Sequence, residues 1–222
     1  MISSWPCPLP GGSSTDEYAV AFDHGRSRRL LVVPALFDEA NRLRRFTVET
    51  MRQLDKVGID TFLPDLPGTN ESALPLCAQS LHSWRQAMAA AARHFSATHV
   101  LALRGGALVS PSLPALALAP TGGAAILRQL VRSRILSARE AGRDETTEGL
   151  LSEARRQGIV LAGHALGAEM VTGLESAGPA PEIGTIAQAQ LGGGALWLRA
   201  EPDDDPTQSA ALAQIVAKWL RA

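Results

Sequence analysis

The sequence predicts an α/β fold: a mostly parallel, doubly wound sheet sandwiched as the middle of three layers between helices. Three observations carry that prediction. Short apolar runs alternate with amphipathic helical stretches. The runs LLVVPA (30–35) and THVLAL (98–103) are continuously apolar, as strands buried on both faces are. At 222 residues and 45% apolar content, the chain is long enough to bury one large core.

The elements follow in order. Residues 1–20 hold Pro6, Pro8 and Pro10 with two glycines, and read as a flexible lead-in to a single domain over 21–222. They have neither a basic start nor an apolar centre, so they are no signal peptide. Residues 30–35 form the first strand. Phe46, Val48, Met51 and Leu54, set among charges, make an amphipathic helix over 45–57, stopped by Gly58. IDTFLPDL (59–66) is a second strand, ending in the turn Pro67-Gly68-Thr69-Asn70. A helix over about 80–95 leads into THVLAL, and LPALALA (113–119) is the fourth strand.

Residues 123–138 form a helix with Leu127, Leu130, Val131, Ile135 and Ala138 on one face and Arg128, Arg132 and Arg139 on another. Such a face suits a weak peripheral contact with an acidic membrane surface. The simpler reading is a solvated arginine face over an ordinary core. Residues 140–149 are a polar loop, GIVLA (158–162) a fifth strand and 166–174 a short helix. ALWLRA (195–200) is a last strand, 201–206 an acidic turn and 207–222 a closing helix.

Composition excludes several functions. Twenty-one basic against 22 acidic side chains leave a net charge of −1, which argues against nucleic-acid binding. Cys7 and Cys77 supply neither a disulfide framework nor a zinc site. The longest apolar stretch, 105–120, is broken by Pro111 and Pro114, so no membrane span and a cytoplasmic location are expected. Gly192-Gly193-Gly194 lacks the Lys-Ser/Thr and the following helix of a phosphate loop. Asp203-Asp204-Asp205 reads as a solvated turn, because three consecutive side chains do not point one way. No metal and no cofactor are expected.

Several motifs carry a resemblance. Asp65-Leu66-Pro67-Gly68-Thr69-Asn70-Glu71-Ser72 is similar to the D-x-x-G-x-G-x-S loop after the fourth strand of α/β hydrolases, with Asn70 for the second glycine. The stretch from Pro34 through Phe37, Glu39, Asn41, Arg44 and Arg45 resembles the P-F-x-E-E-x-N-x-x-R-R segment of the exosortase A system-associated hydrolases, second type. Leu118-Ala119-Pro120 with the following glycines, and Leu127 to Arg132, resemble that family's A-P-x-x-x-G…L-x-Q-x-x-R segment. Residues 160–166, VLAGHAL, are similar to its V-A-G-Y-x-L stretch. The resemblance runs from about residue 30 to 175. It implies an α/β-hydrolase-like fold with a small or absent cap, and an accessory role near bacterial exopolysaccharide production and protein sorting.

An α/β hydrolase sets its nucleophile on a tight strand-to-helix turn, G-x-S-x-G. After THVLAL that frame reads Ala102-Leu103-Arg104-Gly105-Gly106, with Arg104 at the serine position. A guanidinium stays protonated and is no nucleophile, though its fork suits an anion. The alternative is a structural ion pair beneath a loop. A rival elbow, Gly163-His164-Ala165-Leu166-Gly167, follows GIVLA but comes too late after the Asp65 loop. Both frames lack serine, and both stay open at this point.

The fold's base follows its last strand, yet the histidines are His24, His82, His94, His99 and His164, none later. No residue is therefore named as catalytic. The backbone of Gly105, Leu36 and Phe37 would supply oxyanion-type donors. Glu39, Asn41, Arg45 and His164 are pocket candidates, with helix capping by Asn41 as the competing role. Ser110 and Ser112 are substitute hydroxyls with no base in sight. The expectation is a protein without a working Ser-His-Asp triad that binds a small acyl or anionic ligand, or a protein partner, in the old pocket. An ester or thioester hydrolase with an unconventional nucleophile is the competing reading.

Overall fold

A computed structural model of the chain describes residues 1–9, 12–203 and 205–221. Seven strands form the main sheet: β1 (Ile2–Pro8), β2 (Ser14–Phe22), β3 (Arg29–Val33), β4 (Asp60–Pro64), β5 (His99–Leu103), β6 (Ala115–Leu118) and β9 (Gly184–Ile186). Their spatial order is β1-β2-β4-β3-β5-β6-β9. The first two junctions, β1 with β2 and β2 with β4, are antiparallel, and the other four are parallel. Helices α1 (Asp38–Lys56) and α6 (Pro206–Trp219) cover one face of this sheet. On the other lie α2 (Leu81–His94), α3 (Gly123–Glu140), α4 (Thr147–Gln157) and α5 (Ala168–Ser176). Three layers and the mostly parallel sheet match the expected class.

The central strands follow from their sequence. Leu30, Leu31, Val32 and Val33 are all buried, odd and even positions feeding opposite cores. Helix α2 begins with a reciprocal cap between Ser80 and Ser83. Helix α6 begins with Asp205 accepting from the Thr207 and Gln208 amides, and Pro206 sits in the first turn, where its missing N–H costs nothing.

Four expectations are corrected here. Residues 1–20 are no flexible lead-in, because β1 and β2 add two antiparallel strands with Trp5 and Cys7 fully buried. Pro6 and Pro8 are tolerated since β1 is the sheet's edge. ALWLRA is no strand: Leu196–Leu198 is a 3-10 turn that buries Leu196 and Trp197 against α1 and α6 and leaves Leu198 exposed. The loop expected over 140–149 ends early, as Thr146 caps α4 by accepting from the Gly149 amide. GIVLA stays outside the main sheet. It forms β7 (Ile159–Leu161), paired antiparallel with β8 (His164–Leu166) in a two-stranded hairpin. Asp204, in the middle of the acidic triplet, and Ala222, at the end of the expected closing helix, lie outside the described residues.

Candidate functional site

The turn after β5 has the elbow's shape. Arg104 takes φ +53°, a left-handed conformation that non-glycine residues seldom adopt, and starts a 3-10 turn over Arg104–Val109. Gly106 is required there: a Cβ on it would lie 2.3 Å from the Pro34 carbonyl oxygen. A Cβ on Gly105 would lie 3.1 Å from Leu36 Cγ, so the loop after β3 abuts the elbow. Of the two candidate frames, residues 102–106 occupy the strand-to-helix turn. Residues 163–167 do not. Ala162 and Gly163, at φ +48° and +83°, form the two-residue link of the hairpin, with positive φ at both positions as a type I′ turn needs.

What fills the elbow is an ion pair. Arg104 Nε and Nη2 donate to Glu39 Oε2 and Oε1 at 3.1 and 3.0 Å, and Nη1 donates to the Ala119 carbonyl at 2.6 Å. The guanidinium carbon stands 4.2 Å from the centroid of the Trp197 ring, a cation–π distance. Glu39, whose side chain is 8% exposed, sits in the first turn of α1, where the helix dipole favours a carboxylate. The fork expected to receive an anion from solution already holds one. The contacts of Arg104 are those of the alternative expectation, an ion pair beneath a loop.

Two of the expected oxyanion donors, Leu36 and Phe37, border only a small gap. Between Leu36, Phe37, Glu39, Ile126 and Leu130 only about 10 Å³ remains, the room of one water at most. Leu36 and Phe37 are buried, with Phe37 at φ +56° just before α1. That gap, lined by Leu36, Phe37 and Glu39, does not admit an ester.

The open space lies next door. A crevice of about 750 Å³ runs beyond the carboxyl ends of β3 and β4, where open α/β sheets bind ligands. Its walls are the start of α1, the Asp65 loop and the tip of the β7–β8 hairpin. His164 Nε2 lies 2.8 Å from Asp38 Oδ1, and its ring meets Phe37 edge-on at 5.3 Å. Arg44 donates to Asp65 at 2.8 Å, and the Asn70 amide donates to the same oxygen at 2.6 Å. Asn70 has φ +49°, which explains asparagine where the motif has glycine, since both accept the left-handed region. Asp38, Asp65 and Glu71 face only Arg44 and His164, so the lining carries more negative than positive charge.

Of the four pocket candidates, Asn41 and His164 line this crevice; Glu39 and Arg45 do not. Asn41 is no helix cap, because α1 starts three residues earlier at Asp38. Asp38, Arg44 and Asp65 went unrecognised in the sequence as pocket residues. The Asp38–His164 contact spans 126 positions and exists only because the hairpin folds back, so no local pattern announces it. Ser110 is a buried hydroxyl with no hydrogen-bond partner among the described residues, and neither it nor Ser112 borders the crevice. The described residues hold no group of three or more His, Cys, Asp and Glu side chains able to bind a metal. No helix among them is long and apolar enough to cross a membrane.

Comparison with solved structures gives the fold its name. A thermophilic esterase from Thermogutta terrifontis superposes with a TM-score of 0.53 at 12% identity, over 100% of this chain and 98% of its own. The chain has the α/β-hydrolase fold. Alpha/beta hydrolase domain-containing protein 10 from mouse agrees, at TM-score 0.54, 10% identity and the same coverage of 100% and 98%. A protein from Agrobacterium vitis classed as a hydrolase overlaps less, at TM-score 0.47 and 12% identity, over 62% of this chain and 60% of its own. No protein-family model and no curated protein sequence matches the chain.

Proposed function

We propose that this α/β-hydrolase-fold protein works as a binding protein without a Ser-His-Asp triad, and takes a small ligand into the crevice beyond β3 and β4. The carrying observation is the occupant of the elbow: Arg104, at the position a nucleophile would take, is paired through both Nε and Nη2 to Glu39. The ligand best matched to the crevice is a small uncharged acyl compound. Apolar walls at Ala35, Phe37 and Leu66 would take its chain, and Asn41, Asn70 and the Asp38–His164 pair its polar end. An anionic ligand fits less well, because Arg44 is already engaged by Asp65. The exosortase-associated resemblance supports an accessory role in the cytoplasm near exopolysaccharide production and protein sorting, with a protein partner as a further option.

A second reading rests on one contact. An imidazole held by a carboxylate at 2.8 Å is the base half of a hydrolytic site, and could activate water in the crevice without a covalent intermediate. Short-chain p-nitrophenyl esters separate the readings. The binding reading expects no turnover above buffer, from the native protein or from Arg104→Ser. Turnover blocked by a fluorophosphonate overturns it. Turnover that survives the fluorophosphonate and vanishes in His164→Ala establishes the second.

A further inference from the structure

A second concave site lies far along the chain from the crevice's loops, between α3 and α4. It is a groove of about 570 Å³, within the roughly 300–1,000 Å³ of small-ligand sites. Its accessible apolar lining is the partly buried Ala124, Ile135 and Leu151, with Leu127 and Val131 packed beneath at 4% and 2% exposure. Arg128, Arg132 and Arg139 stand along its rim at the spacing of one helix face. Other arginines of this region have carboxylate partners: Arg134 is held by Glu145 and Arg155 by Glu175, each at 2.7 Å. The three on the rim form no ion pair among the described residues. Glu175 also borders the groove, but Arg155 compensates its charge. Three uncompensated cations beside a recessed apolar slot are notable in a chain with a net charge of −1.

From this arrangement we infer that the groove binds a single-chain anionic amphiphile, a fatty carboxylate or an equivalent alkyl phosphate. Its head pairs with Arg128, Arg132 and Arg139, and its alkyl chain lies over Ala124, Ile135 and Leu151. Shape selects this occupant over a bilayer. A membrane contact through this helix would rest on one protruding apolar side chain, Leu136 at 59% exposure, whereas the apolar residues of the groove are recessed and leave room for one chain to enter. Guanidinium forks match carboxylate and phosphate oxygens in pairs. The site is distinct from the crevice and independent of its ligand.

Isothermal titration with sodium decanoate below its micelle concentration tests the site, with acetate and decyltrimethylammonium as controls. The expected result is saturable one-to-one binding of decanoate and none of either control. The charge-reversed variant Arg128→Glu/Arg132→Glu should bind at least about tenfold more weakly, the loss of one charge-assisted hydrogen bond. Arg128→Lys/Arg132→Lys should retain most of the affinity. Circular dichroism checks that the variants fold, and Ile135→Glu, which places a carboxylate on the slot itself, gives a second route to the same loss. Equal binding of all three probes, or unchanged decanoate affinity in the charge-reversed variant, overturns the inference. So does co-sedimentation with phosphatidylglycerol vesicles in the absence of decanoate binding, which would make the rim a bilayer contact.

Discussion

Arg104 carries two costs at once, desolvation of a guanidinium and a left-handed backbone worth about 1–2 kcal/mol. Both are borne because Glu39 and the Ala119 carbonyl accept from Nε, Nη1 and Nη2, and the Trp197 ring packs against the guanidinium. Arg104→Ala should therefore destabilise the fold by about 3–5 kcal/mol, since it strands Glu39 as a buried, uncompensated charge. Urea denaturation measures this, and Arg104→Met/Glu39→Leu should recover much of the loss. A change below about 1 kcal/mol in the single variant would sink the structural role. The elbow's occupant was legible in the sequence because a five-residue frame after a strand is a local pattern. Its partner was not, as Glu39 lies 65 residues away on a helix whose start the apolar periodicity set seven residues too late.

At the scale of elements, strength of pattern decided what could be foreseen. Strands β3 to β6 are short apolar runs between turn residues, and α1 and α2 have clear apolar stripes. Strands β1 and β2 alternate buried and exposed positions from Trp5 and from Glu17, but the prolines and polar residues between obscure that period. Strand β9 has three residues and no pattern to read. The hairpin misled for a physical reason: an apolar run followed by glycine has the same composition whether it enters an elbow or a tight turn. Ala162 is the weak point of that hairpin, because alanine pays for the positive φ that the turn demands. Ala162→Asn should raise stability by about 1 kcal/mol, seen as a higher melting temperature. A lower one would show that the turn is not of the mirror-image type.

Across the whole molecule, two carboxyls set opposite responses to pH. Asp23 is bound by Arg29 and by the Gly25 amide, which hold its pKa down to about 2 from an ordinary 3.8. It stabilises the fold above pH 3.8 and the benefit is lost as pH falls through about 2. Glu17 is the reverse. Burial between β2 and the Asp65 loop raises its pKa above an ordinary 4.5, against a hydrogen bond from Ser72 that lowers it, and the Asp65 charge adds to the rise. Its neutral form suits the fold, so its contribution is full below pH 4.5 and lost as pH rises through the raised value. Glu17→Gln should thus melt higher than the native protein at pH 8 and nearly level with it at pH 4. A difference that grows toward acid would refute this.

The seal at the elbow also acts as a ratchet on descent. Any lineage that reached a serine at position 104 by a single substitution would first carry Glu39 without its cation; one that changed Glu39 first would carry Arg104 without its anion. Each such intermediate gives up about 3–5 kcal/mol, against a total stability of about 5–15 kcal/mol for an ordinary domain. Changes at 39 and 104 are passable together and close to prohibitive apart. Substitutions at these two positions are then expected to arrive as a pair, and the seal, once made, is hard to open one residue at a time.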